Sequence, residues 1–228
     1  MAAKTRILEE LSKMEDGAGT NGRIPPEWSW NGGDDLSPSW EPQRQPVLSN
    51  AKIGMTIFLG AEAIFFSALI AGFLYLRLNA AGWPPPSQPR LPVLVTGINT
   101  LFLLTSAYTM WGALRSIRGE DQAGLLKGLG FTVLLGGVFL AVQGYEWLRL
   151  ISFGFTLSSG SYGTTFYTLI GLHGLHVFAA ITWLLVVLMA ARRKRFSAQD
   201  HLGVSICAMY WHFVVALWPV LYGLVYLV

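Results

Sequence analysis

A single cysteine, Cys207, leaves no partner for an intrachain disulfide and no multi-cysteine zinc or iron–sulfur site. Charge is scarce as well. Asp, Glu, Lys and Arg make up 13% of the 228 residues, about half of the roughly 25% usual in a soluble domain. The formal net charge of +3 is small, and the basic residues sit at the ends of apolar stretches. They report on membrane topology and give no reason to expect a nucleic-acid partner. No signal-peptide pattern opens the chain. Its first long apolar stretch begins near residue 51, so the first forty-odd residues are expected to be retained.

What the chain has in abundance is apolar sequence, 53% of all residues. Five continuous apolar stretches, at about 51–77, 92–114, 125–149, 163–191 and 203–227, are each long enough to cross a ~30 Å hydrocarbon core as a helix. They lack the alternation of a barrel strand. The expected fold is therefore all-α, an integral membrane bundle of five transmembrane helices over residues 47–228. Pro84, Pro85, Pro86, Pro89 and Pro92 break the chain between the first two helices.

Residues 1–46 read as a separate polar tail holding eight of the thirteen acids and five of the eleven prolines. Ile7, Leu8 and Leu11 could form one face of a short amphipathic helix over 5–16. The stretch 17–46 is rich in Gly, Pro, Asn and Ser and is not expected to be regular by itself. Its Trp28, Trp30 and Trp40 are unusual for a solvated tail and suit docking on a partner or on the membrane interface.

Lys and Arg counts set the expected orientation. With the N-terminus inside, thirteen of the sixteen fall on the inner side, and only Arg77, Arg90 and Arg149 fall outside. The N-terminus is expected in the cytoplasm and the C-terminus outside. Trp83 and Trp147 then fall near the outer interface and Trp111 near the inner one. No repeat stands out, which speaks against an inverted-repeat transporter.

The polar residues within the spans carry the rest. Glu62 lies about 11 residues into the first stretch, roughly 16 Å deep at 1.5 Å per residue. A charge there costs at least ~2.5 kcal/mol, so Glu62 must face protein or water, or be protonated. His173, His176 and His212 fall at similar depth, and the first two, three apart, share one helical face. A cluster of Glu62 with one or more of these imidazoles is geometrically available. It suits interhelical hydrogen bonding or proton buffering and conduction. A metal or haem site is the weakest reading, because His-x-x-His is a short pattern and His201 lies at the membrane edge. Glu146 is expected near the outer interface within reach of Arg149. Arg192, Arg193, Lys194 and Arg195 form a basic run at the inner interface, where they set topology and are candidates for lipid headgroups. Small residues crowd the first helix (Gly60, Ala61, Ala63, Ser67, Ala68, Ala71, Gly72) and open the third (Gly124, Gly128). They suggest tight helix packing.

Several motifs, in order along 51–228, resemble subunit III of cytochrome c oxidase. They are Glu62-Ala63-Ile64-Phe65-Phe66, Trp83-Pro84-Pro85, Gly97-Ile98-Asn99-Thr100 and Gln143-Gly144-Tyr145-Glu146-Trp147. Further on come Tyr162-Gly163-Thr164-Thr165-Phe166, Gly171-Leu172-His173-Gly174-Leu175-His176, His201-x-Gly203 and Tyr210-Trp211-His212-Phe213-Val214. The chain is similar to the short, five-helix bacterial form, which lacks the leading helix pair of the seven-helix form. The resemblance implies a non-catalytic subunit without haem, copper or another metal of its own. Its partners would be the oxidase's catalytic subunit I and subunit II, which hold the haem and copper. It would stabilise subunit I, support proton uptake and bind structural phospholipids in a bacterial inner membrane. Other respiratory-complex subunits are candidate partners of the tail. Glu62 matches the family's buried, carbodiimide-reactive carboxylate. Ser205 and Val215 stand where the family often has acids, which leaves Glu62 as the main protonatable candidate. A quinol oxidase subunit III, an accessory protein of nitric oxide reductase and an independent proton-coupled transporter remain the alternatives.

Overall fold

The computed structural model describes residues 47–83 and 92–227. The expected tail helix, the docking of Trp28, Trp30 and Trp40, and the Pro84–Pro89 break lie outside these residues. Residues Pro46–Val228 form one compact unit.

Five long helices account for it: α1 (Val47–Leu78), α2 (Val93–Arg118), α3 (Gln122–Ser152), α4 (Gly160–Arg192) and α5 (Leu202–Tyr222). All five are long and apolar enough to cross a membrane, and no strand occurs among the described residues. The helices run past the apolar stretches because polar residues end them. Asp121 begins α3 by accepting the Gly124 N–H at 2.9 Å, as an N-cap carboxylate does for an otherwise unpaired amide. Basic residues occupy the last turns of α1 to α4 (Arg77, Arg118, Arg149, Arg192), where they complement the helix dipole. The last span is not a uniform α-helix. Pro219 lies inside α5, and residues Gly223–Leu227 wind as a π-helix. Proline has no N–H for the preceding turn, so one backbone bond of the ladder is missing just before the π segment.

Helices α2 and α3 form the closest pair, with α4 and α5 completing the core. Backbones meet at Gly128, where a Cβ would come within 2.9 Å of the Ala113 Cα. Hydroxyls add a polar tie, with Thr109 and Thr132 2.8 Å apart. Helix α1 is peripheral. Its most apolar window is only 11% buried, against 56% for α5, and it packs chiefly on α4 and α5. Contrary to expectation, the small residues of α1 do not pack against the other described helices. Gly60, Ala61, Ala63, Ser67, Ala68, Ala71 and Gly72 are all exposed, and a Cβ at Gly60 or Gly72 would meet nothing within 4 Å. Larger residues, Phe66 and Phe73, anchor α1 instead.

The two ends of the bundle are distinct. At one end the α2–α3 and α4–α5 loops meet, with Gln122 Nε2 donating to the Phe196 carbonyl at 2.6 Å. At the other end Arg77 donates to the Leu224 carbonyl at 3.0 Å, and the Tyr222 hydroxyl donates to the Val93 carbonyl at 2.9 Å. Trp83 stands edge-on to Phe73 and Tyr162 there, with ring centroids 5.7 and 5.0 Å away.

Candidate functional site

Glu62 and His176 are the central residues of α1 and α4, and the seam between the two helices brings them together. Glu62 Oε2 lies 3.0 Å from His176 Nε2, and each side chain is 18% exposed. The other ring nitrogen, Nδ1, lies 2.7 Å from the Leu172 carbonyl. A carbonyl can only accept, so Nδ1 carries a hydrogen and donates it. A neutral imidazole has then used its one N–H, and Nε2 presents a lone pair to Glu62. The contact closes in two ways: a Glu62 carboxylic acid donating to Nε2, or a His176 imidazolium donating to a Glu62 carboxylate. Each arrangement holds one proton between the two side chains and leaves the pair with no net charge. Removing that proton would set a carboxylate against a lone pair. The burial cost of an isolated mid-span acid is avoided in this way.

His173, on the same helix, takes a different environment. It is fully buried, and neither ring nitrogen has a hydrogen-bond partner among the described residues. Its ring stacks on Trp218 (5.2 Å between centroids, 24° between planes) and meets the edge of Phe66 at 6.3 Å. Phe66 also touches His176, at 5.1 Å, and so stands against both imidazoles. Trp147 helps set how α4 faces its neighbours. Its ring packs over Gly174, where a Cβ would fall 2.7 Å from the indole. Trp147, expected near the outer interface, is partly buried and packs against the core.

His212 bonds within its own helix, Nδ1 donating to the Ala208 carbonyl at 2.6 Å. His201 caps α5 and donates through Nδ1 to the Ala198 carbonyl at 2.7 Å. Neither hydrogen-bonds to Glu62, whose partner is His176. Glu146 is buried, and its oxygen lies 3.6 Å from the half-exposed Arg149. Arg192, Arg193, Lys194 and Arg195 are all exposed at the end of α4. Arg193 and Arg195 line a shallow groove with Val186, Met189 and Ala190.

Sequence reasoning gave no role to a second set of polar residues in the core. Trp218 Nε1 donates to Thr100 Oγ1 at 2.9 Å, and Thr100 donates to the Thr96 carbonyl at 2.8 Å. Asn99 donates to the Phe139 carbonyl at 2.9 Å, joining α2 to α3. Gln143 donates to the Tyr226 hydroxyl at 3.1 Å, tying the π-turn to α3. An Asn and a Gln inside apolar spans were the available signal, because such side chains need protein partners in lipid. Among the described residues, no three His, Cys, Asp or Glu side chains come together as a metal site.

A family model for cytochrome c oxidase subunit III matches residues 42–228. The cytochrome c oxidase subunit 3 of Synechocystis sp. is 38% identical over 175 residues, covering 76% of this chain and 74% of the relative. That of Thermostichus vulcanus is 36% identical over 176 residues (77% and 86%). That of Bacillus subtilis is 34% identical over 179 residues (78% and 86%).

Proposed function

Because the chain belongs to the cytochrome c oxidase subunit III family, we propose that it performs no electron transfer itself. In this reading it braces the oxidase's catalytic subunit and serves its proton uptake. The observation that carries the reading is the Glu62–His176 contact, 3.0 Å long and central to both helices. A one-proton, zero-charge pair is stable in a hydrocarbon environment and can hold or pass a proton without a cofactor. The haem and copper belong to the partner subunits I and II. The electron donor is cytochrome c, in keeping with the names of the relatives.

The membrane is the bacterial inner membrane, with the N-terminus in the cytoplasm. The Lys and Arg distribution supports this orientation. The loop end of α4 faces the cytoplasm, and its Arg193–Arg195 groove takes phospholipid headgroups. Polar residues 1–46 meet other subunits of the respiratory complex.

A tagged chain purified in mild detergent tests the assembly part of this reading. It should bring down a haem- and copper-containing subunit and a subunit with a cupredoxin copper domain. Recovery of the chain alone, or with a haem subunit lacking the cupredoxin partner, would overturn the bracing role or the cytochrome c donor respectively.

A further inference from the structure

At the loop end of α2, on a different helix from the Arg193–Arg195 groove, Trp111, Leu114, Arg115 and Arg118 line a second shallow groove. The Arg115 guanidinium carbon lies 5.7 Å above the centre of the Trp111 ring. Tyr108 stacks on the other side chain of this pair, Trp111, at 5.9 Å and 29°. Tyr108 is largely exposed and Trp111 half-exposed. Among the described residues no carboxylate pairs with Arg115 or Arg118 within ion-pair distance. Neither acid next in the chain forms an ion pair with them: Glu120 is in neither ion pair found among the described residues, and Asp121 caps α3. Up the helix, the exposed side chains Tyr108, Leu104 and Leu101 continue as an apolar track. From Leu101 to Trp111 that track is about 15 Å long at 1.5 Å per residue.

We propose that this groove binds an anionic phospholipid. The headgroup phosphate is held by the guanidinium groups of Arg115 and Arg118. Trp111 lies at the level of the glycerol, and one acyl chain runs along Leu104 and Leu101. The chemistry of each part matches its partner. Guanidinium groups donate in a planar fork that suits phosphate oxygens. An indole favours the boundary between headgroup and hydrocarbon. Two cations with no carboxylate partner among the described residues, next to an apolar track, fit a molecule with one anionic end and one apolar end. Arginines at a helix C-terminus also complement its dipole, but that role asks nothing of Trp111 and predicts no bound lipid.

Native mass spectrometry of the intact oxidase, purified in mild detergent, tests the assignment. Wild type is compared with Arg115→Gln/Arg118→Gln, Arg115→Lys/Arg118→Lys and Trp111→Leu. Arg193→Gln/Arg195→Gln serves as the control for the separate α4 groove. The Gln double variant should lose one bound anionic phospholipid per complex while keeping its subunits. Trp111→Leu should lose occupancy in part, and the Lys double variant should retain most of it. Nanodiscs of phosphatidylglycerol should restore the lipid to the wild type and not to the Gln variant, and inorganic phosphate should not compete. Unchanged lipid content in the Gln variant overturns the proposal. So does displacement by inorganic phosphate, or loss of a protein subunit with lipids intact. If the Gln variant does not assemble, an unaltered lipid count in Trp111→Leu overturns it. Co-purification of the oxidase subunits with the wild-type chain is read separately, so failure of this assignment and failure of the proposed function are distinguishable.

Discussion

Glu62 and His176 face each other at 3.0 Å where α1, the least buried helix of the bundle, crosses the middle of α4. Because Nδ1 of the same imidazole is engaged by the Leu172 carbonyl, the pair has one proton to share and no spare donor. It fastens a peripheral helix, and in the proposed function the same two side chains also hold a proton. Substitutions can separate those two roles.

Glu62→Gln keeps a donor for the Nε2 lone pair but cannot exchange a proton. The oxidase should assemble in normal yield, and its proton-linked turnover or its long-term activity should fall. Glu62→Ala also removes the hydrogen bond, a loss of about 1–2 kcal/mol for a polar tie between membrane helices, and should loosen the docking of α1. Subunit stoichiometry and the number of turnovers before inactivation report on both. A Gln variant that fails to assemble would falsify the proton role and make Glu62 a structural residue.

Among the described residues the His173 side chain has no hydrogen-bond partner, and it stacks on Trp218, so His173→Phe keeps the ring contact and removes two buried nitrogens. The cost should stay below about 1.5 kcal/mol, as for shape-conserving core changes. Thermal melting of the complex and its proton-uptake rate should both stay near wild type. A slowed proton-uptake rate with normal melting would instead make His173 part of the proton path.

Glycines divide by position. Gly174→Ala sets a Cβ against the Trp147 ring and should destabilise by about 1–3 kcal/mol through overpacking. Gly72→Ala enters open space and should be tolerated. The contrast is read as the amount of folded chain in membranes. Equal tolerance at both positions would mean that α3 and α4 are not packed through Trp147.

The native cysteine, Cys207, is buried, so an introduced surface cysteine is the one that reacts. Ser158 and Gln199 are both exposed, on the loops after α3 and α4. In intact cells a membrane-impermeant maleimide should label Ser158→Cys and leave Gln199→Cys until the cells are lysed. The reverse pattern would invert the proposed orientation.

The five spans were legible because apolar runs of this length have few other uses, and 1.5 Å of rise per residue places Glu62 and the histidines at a common depth. Which imidazole Glu62 meets was not legible. His173 and His176 share a broad face, and the rotation of α4 that turns one to Glu62 and the other to Trp218 depends on contacts such as Trp147 on Gly174. The same limit applies to small residues. Gly72 and Gly128 look alike in sequence, but one faces outward and the other meets Ala113. Glu146, near a helix end, was expected at the interface, and its burial follows from how α3 sits among its neighbours.

The claim on which the account depends is that this polypeptide carries no electron-transfer centre. Its most direct test is an absorption spectrum and metal analysis of the chain after it is separated from the purified oxidase. The separated chain should show no haem band and no copper, and both should remain with the partner subunits. Haem or copper that stays with the separated chain in stoichiometric amount would contradict the account.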